Sequence, residues 1–181
     1  MRTRLRPAYG ADDLSRIYST PHCHSRWADH RIRVAVTTEI ARWVATEQDC
    51  RTAADLSCGD AAITKVLGLP TTLGDYAPGY PITGPIEDTI HQIDPVDLFV
   101  CSETLEHLDD PDTVLKRIRS KTRCLVLSTP DGETGLDNPE HYWGWDAAAV
   151  EDMLRAAGFA PVVCNVLRLD TQYDYQIWGC R

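Results

Sequence analysis

Two short runs, Val96–Ser102 (VDLFVCS) and Arg123–Ser128 (RCLVLS), are apolar at nearly every position, and a segment of helical character, Asp112–Arg119, separates them. A strand with one wet face alternates apolar and polar side chains, whereas a strand apolar throughout must be covered on both faces, as in a parallel sheet. Parallel neighbours need a crossover between them, and the intervening helix, with Pro111 at its start, supplies one. The same alternation extends in both directions. Thr52–Leu56 is a short strand ending in Ser57-Cys58-Gly59-Asp60, and Ala61–Leu67 is expected as a helix stopped by Gly68 and Pro70. Thr71–Asp75 is the next strand, followed by the loop YAPGYPITGP with a short strand around Ile82. Asp146 is placed to cap a helix whose Val150, Met153, Leu154 and Ala157 share a face and whose Gly158 ends it. Pro161–Leu169 and Tyr175–Cys180 are closing strands. Ahead of the sheet, Ile32, Val36, Ile40, Trp43 and Val44 recur at helical spacing over Trp27–Val44. The order predicts an α/β fold, a Rossmann-like doubly wound, mostly parallel sheet with helices on both faces.

The length, 181 residues, suits one domain, with residues 1–51 expected as a helical lid or cap and residues 52–181 as the core. Lys and Arg number 18 and Asp and Glu 27, a net charge of -9 that disfavours, without excluding, nucleic acid as a partner. The imbalance is local: up to Arg51 there are 9 basic and 6 acidic residues, and beyond it 9 and 21. The arm carrying Arg2, Arg4 and Arg6 is read as a solvated, frayed terminus, the alternative being a contact with an anion. No apolar run is long enough to span a membrane and no signal-peptide pattern opens the chain, so no membrane partner and a cytoplasmic location are expected. The sequence is silent on oligomeric state. Among the seven cysteines no CxxC pair occurs, and His22, Cys23, His24 and His30 lack a further ligand at a usual spacing, so no metal is expected.

In a doubly wound sheet, ligands bind beyond the carboxyl ends of the strands, which directs attention to Ser57–Asp60, Asp75 with Tyr76, Ser102 with Glu103, and Thr129–Asp131. Gly59 permits a tight turn and close approach of a ligand. Asp75 stands 20 residues after Asp55, a spacing that suits an acid accepting both hydroxyls of a ribose, though an Asp in LGDYAPG can also simply form a turn. The fingerprint G-x-G-x-x-G is absent, which weakens a nicotinamide-dependent oxidoreductase as a rival reading.

DLSCGDAAI resembles the first motif of class I S-adenosylmethionine-dependent methyltransferases, and the later segments VCSETLEHLDDP and RAAGF fall in that family's order. The resemblance covers most of the chain from Thr52 onward and implies an antiparallel last strand, with S-adenosylmethionine as cofactor. It assigns Asp55, Ser57, Cys58 and Gly59 to the methionine part and Asp75 to the ribose, with Tyr76 as a further cofactor-binding candidate. Ile86 and Glu87, with Asp88, fall to the adenine border, and Cys101, Ser102 and Glu103 to the cofactor's side. Ser57 and Ala61 stand where the family usually has its first and third glycines. The implied activity is methyl transfer to an O, N or C nucleophile of a small-molecule acceptor; a nucleobase or protein acceptor, or a non-catalytic cofactor-binding subunit, are the alternatives. In-line displacement is accelerated chiefly by alignment in a dry site. Where the nucleophile must lose a proton, Glu103, His107 and His141 are the candidate bases. Tyr18, His22, Trp27, Tyr142 and Trp143 are the candidates for acceptor binding, and Arg31 and Arg33 are able to pair with a carboxylate.

Overall fold

A computed structural model describes residues 1–24, 26–135, 138–171 and 173–181. In chain order the elements are β1 (Arg2–Arg4), α1 (Ala11–Ile17), α2 (Ala28–Glu47), β2 (Ala53–Asp55), β3 (Thr71–Asp75), β4 (Ile82–Thr83) and α3 (Ile86–Thr89). There follow β5 (Val96–Ser102), α4 (Pro111–Lys121), β6 (Thr122–Asp131), β7 (Trp143–Trp145), α5 (Ala147–Ala156), β8 (Pro161–Leu167) and β9 (Asp174–Cys180). Seven strands form one sheet in the order β4-β3-β2-β5-β6-β9-β8. From β4 to β6 every neighbour is parallel, and β9 lies antiparallel to both β6 and β8. The fold is therefore the expected doubly wound sheet with its last strand reversed, and the strand order turns back between β2 and β5.

The apolar runs of β5 and β6 are explained by cover on both sides. Leu98, Val100, Cys124 and Val126 join Ala41 and Val44 of α2 in one buried cluster, while Phe99, Cys101, Leu125 and Leu127 join Leu115, Ile118, Val150 and Leu154 of α4 and α5 in another. Helix α2 comes close enough to β9 that a Cβ on Gly179 would lie 2.8 Å from Val44 Cγ2 and 2.8 Å from Val163 Cγ1. Only glycine allows that approach. Although it belongs to the segment 1–51, α2 is thus a layer of the core, and the arm before it is what reaches the strand ends. Helices α4 and α5 start where the sequence places them: Asp110 accepts from Thr113 N at 3.0 Å and Asp146 from Ala149 N at 2.9 Å.

Two expectations are corrected. The helix over Ala61–Leu67 is reduced to a single 3-10 turn, Thr64–Val66, because Gly59 and Ala61 both take left-handed backbone (φ 55° and 57°) and use up the residues a helix would need. Nor is the arginine arm frayed: β1 pairs antiparallel with β7, Arg2 opposite Trp145 and Arg4 opposite Trp143. The guanidinium carbons of Arg2 and Arg4 sit 4.4 and 4.7 Å from the Trp143 ring, Arg4 reaches Asp109 at 2.6 Å, and the terminal ammonium pairs with Asp146. Cation–ring stacking and ion pairs together hold a strand that has little apolar surface of its own. Among the described residues no helix is long and apolar enough to cross a membrane.

Candidate functional site

At the ends of β2 and β3, two carboxylates organise the turn. Asp55 is 3% exposed and its Oδ1 accepts from Ser57 N at 3.2 Å; burial pushes its pKa up to about 8 against the pull of that N–H, with nearby Asp75 adding to the rise. Asp75 accepts from Gly59 N at 2.7 Å through Oδ2 and from Ala77 N at 2.9 Å through Oδ1. Tyr80 donates its hydroxyl to Gly59 O at 2.7 Å. Ser57, in a glycine's usual place, uses its Oγ to reach Thr104 Oγ1 at 2.7 Å and so ties this turn to the loop after β5. Cys58 is buried with its thiol pushed up to about 12.

The N-terminal arm lies directly on this turn. A Cβ on Gly59 would meet His24 Cε1 at 2.6 Å and the His22 carbonyl oxygen at 2.9 Å. Asp60 fixes the arm there, accepting from His24 N at 3.2 Å and lying 2.6 Å from its Nδ1. Farther along the arm, His22 stacks on Trp27 at 5.8 Å and its Nε2 is 3.2 Å from His30 Nδ1, in a surface cluster. Tyr18 sets its ring 5.4 Å from that of Tyr76 and its hydroxyl 3.1 Å from His107 Nδ1.

Beyond β5 and β6 the site is built from buried charge. Arg33 of α2 is fully buried and donates from Nη1 to Ser102 Oγ at 2.6 Å, with Ser128 Oγ at 3.4 Å. Glu103 has left-handed backbone (φ 52°); its Oε1 accepts from Ser128 Oγ at 3.0 Å and lies 3.9 Å from Arg33 Nε. Burial raises the Glu103 pKa and Arg33 pulls it back. Glu106 is fully buried, held through Oε2 by Thr129 Oγ1 at 3.0 Å, and its pKa is pushed well up by burial and by the charge of Glu103. The rings of His107 and His141 are 4.8 Å apart and nearly perpendicular. His107 Nδ1 is 3.1 Å from Glu140 O; His141 Nδ1 is 2.6 Å from Glu133 Oε2 and its Nε2 2.9 Å from Asn138 Nδ2. Burial lowers the two imidazoles to about 3 and about 4, so both are neutral near pH 7. A neutral imidazole can take a proton, but a pKa this low makes it a weak base unless a ligand changes its surroundings.

The structure thus brings together Tyr76, Tyr18, His107 and His141 in one chain of contacts, and Ser102 and Glu103 in another through Arg33 and Ser128. It places others elsewhere. Tyr142 is 2% exposed and its hydroxyl accepts from Tyr9 N at 3.0 Å, while Trp143 donates from Nε1 to Leu108 O at 2.9 Å; both anchor the arm. Ile86 and Cys101 are core residues, the Cys101 thiol pushed up by burial, and the Glu87 carbonyl accepts from Arg117 at 2.7 Å. Sequence reasoning passed over Glu106 and Glu133. The signal for Glu106 was present, an acid between Leu105 and the His107-Leu108 pair in a stretch otherwise suited to burial.

No protein-family model and no curated protein matches the chain. Solved structures do. The N-methyltransferase NodS from Bradyrhizobium japonicum, in complex with S-adenosyl-L-homocysteine, matches at 16% identity over 94% of this chain and 96% of that one, with a TM-score of 0.69. The 1,6-didemethyltoxoflavin-N1-methyltransferase of Burkholderia thailandensis, with 1,6-didemethyltoxoflavin and S-adenosylhomocysteine bound, matches at 16% identity over 99% and 94%, with a TM-score of 0.68. Magnesium protoporphyrin IX methyltransferase from Synechocystis matches at 16% identity over 94% and 90%, with a TM-score of 0.64. At such identities the likeness establishes the fold: the chain has the Rossmann-like architecture of class I S-adenosylmethionine-dependent methyltransferases.

Proposed function

We propose that this chain is an S-adenosylmethionine-dependent methyltransferase that passes a methyl group to an O, N or C nucleophile of a small-molecule acceptor. The observation that carries the reading is the acidic rim around the Gly59 turn: Asp55 and Asp75 close β2 and β3 and Glu103 follows β5, all at the carboxyl ends of the strands, where a bound ammonium and sulfonium would favour the ionised acids and a ribose would find an acceptor. The structural neighbours named above hold S-adenosylhomocysteine or act on small molecules, which supports both halves of the reading.

In this reading Asp75 turns from the Gly59 and Ala77 amides to the ribose hydroxyls, and Asp55 faces the methionine ammonium. Glu103, backed by Arg33, borders the reacting groups. His107 and His141 stand where an acceptor proton would be received, and Tyr18, hydrogen-bonded to His107, contacts the acceptor. The arm of residues 1–24 is the lid: His22 and His24 cover Gly59 and must lift for the cofactor to settle there. The acceleration comes from holding nucleophile, methyl carbon and sulfur in line without water.

Thermal unfolding with S-adenosylhomocysteine and, separately, NAD tests this. A ligand that binds only the native state adds about 2.7 kcal/mol at a hundredfold excess over Kd. S-adenosylhomocysteine should raise the midpoint and NAD should not. Asp75→Ala should weaken binding by about 1.5–3 kcal/mol, as for a charge-assisted hydrogen bond. A shift with NAD alone would overturn the cofactor, and unchanged affinity in the variant would remove Asp75 from the ribose.

A further inference from the structure

We propose that Glu106, His107 and His141 form a binding site for one divalent transition-metal ion. One ligand-type atom from each residue lies within 4.8 Å of the other two, the only such group found among the described residues. The two acid–imidazole neighbours sit next to each other in the chain on the 3-10 turn Leu105–His107, and the third arrives from the loop ahead of β7.

Glu106 supplies the independent reason to expect a cation. The residue is fully buried, Thr129 holds Oε2, and among the described residues Oε1 accepts no hydrogen bond. A buried carboxylate oxygen without a partner is costly. Facing it at 3.9 Å is His107 Nε2, too far for a hydrogen bond. An ion bound about 2.0–2.2 Å from each atom reaches across that gap.

The surrounding contacts orient the imidazoles as metal ligands are oriented. When His107 Nδ1–H donates to Glu140 O, 3.1 Å away, the lone pair of Nε2 is left facing Glu106. When His141 Nδ1–H donates to Glu133 Oε2, 2.6 Å away, the carboxylate–imidazole arrangement that backs metal-bound histidines is complete. His141 Nε2 then carries a lone pair, met by the Asn138 amide at 2.9 Å, and the ion would replace that amide. Two imidazoles and one carboxylate favour zinc, iron(II), cobalt or manganese over magnesium and calcium. Three protein donors also leave coordination positions for water or for an oxygen of a bound molecule. Nothing in the site uses the cofactor, but an ion bound there engages the Nε2 lone pairs of His107 and His141, and a metal-bound water then takes over the proton-accepting role given to them above.

The test titrates the full chain, stripped with chelator, with cobalt(II), following its visible ligand-field bands, and with zinc by calorimetry. One equivalent should bind. Glu106→Gln is isosteric and His107→Asn keeps a planar polar side chain, and each should weaken binding at least about tenfold while the folded protein keeps its wild-type circular dichroism. A variant in which His22 and His30 are both replaced by alanine should bind as the wild type does. Absence of cobalt bands and zinc heat in the wild type overturns the proposal. So does full binding by either site variant, or loss of binding in the His22 and His30 variant, which would put the ion on the surface cluster instead.

Discussion

The turn after β2 and the loop after β5 lie at the same edge of one sheet, but they are held in opposite ways. Around Gly59 the carboxylates mostly grip backbone amides, Asp55 that of Ser57 and Asp75 those of Ala77 and Gly59, with Ser57 to Thr104 and Asp60 to His24 as the longer side-chain ties. Around Glu103 they run between side chains far apart in sequence, from Arg33 to Ser102, Tyr18 to His107 and Glu106 to Thr129. The first region rests chiefly on carboxylate-to-amide contacts between the ends of two adjacent strands. The second exists only when α2, the arm and β6 are all in place. A fold built this way can hold one ligand constant and change the other by altering residues remote from the shared turn.

Three substitutions press on that contrast. The largest effect is expected for Arg33→Met, which leaves Glu103, Ser102 and Ser128 facing a missing cation; the loss should be about 3–5 kcal/mol in denaturant unfolding, as for one broken member of a buried ion pair. A loss under about 1 kcal/mol would mean that the second region does not depend on long-range charge. Next is Asp55→Asn. Because the folded pKa of Asp55 is raised to about 8, the native state binds the extra proton between the ordinary carboxylate range and that value, so stability falls as pH rises through the window, by up to about 1.4 kcal/mol per unit. The variant should flatten that slope, and an unchanged stability–pH curve would sink the assignment. The smallest is Ala61→Gly, which relieves left-handed backbone and should add up to about 1 kcal/mol. A loss of stability instead would show that the turn is held by more than its backbone.

The contrast also explains what could be read from the sequence. The sheet, its order and the acidic residues of the first region were legible because they follow from apolar runs and from short spacings such as Asp55 to Asp75. The buried partners of the second region were not. Arg33 was visible as a cation able to meet a carboxylate, but nothing in the sequence says that a helix 69 residues earlier carries it beneath Ser102. His107 and His141 were visible as bases, whereas Glu106 and Glu133, which turn the two imidazoles into a candidate ligand set, become neighbours only in three dimensions. The absence of metal spacing around His22 to His30 therefore said nothing about the loops after β5 and β6. Tyr142 and Trp143 follow the same logic: an aromatic pair beside a loop looks the same in sequence whether it faces a ligand or receives an arginine strand.

The close seat of α2 on β9 sets where motion can occur. With Val44 and Ile40 against Gly179, and Arg33 locked below the strand ends, the helix cannot swing as a rigid rod without unpacking the core. On the proposed lid reading, His22 and His24 uncover Gly59 while α2 stays seated on the sheet. Because β1 is paired with β7 and His24 is held by Asp60, lifting the arm breaks fixed contacts and belongs to the microsecond-to-millisecond range of lid motions. Passage of ligand past the arm would then fall in the range of ordinary turnover, a step able to limit the cycle.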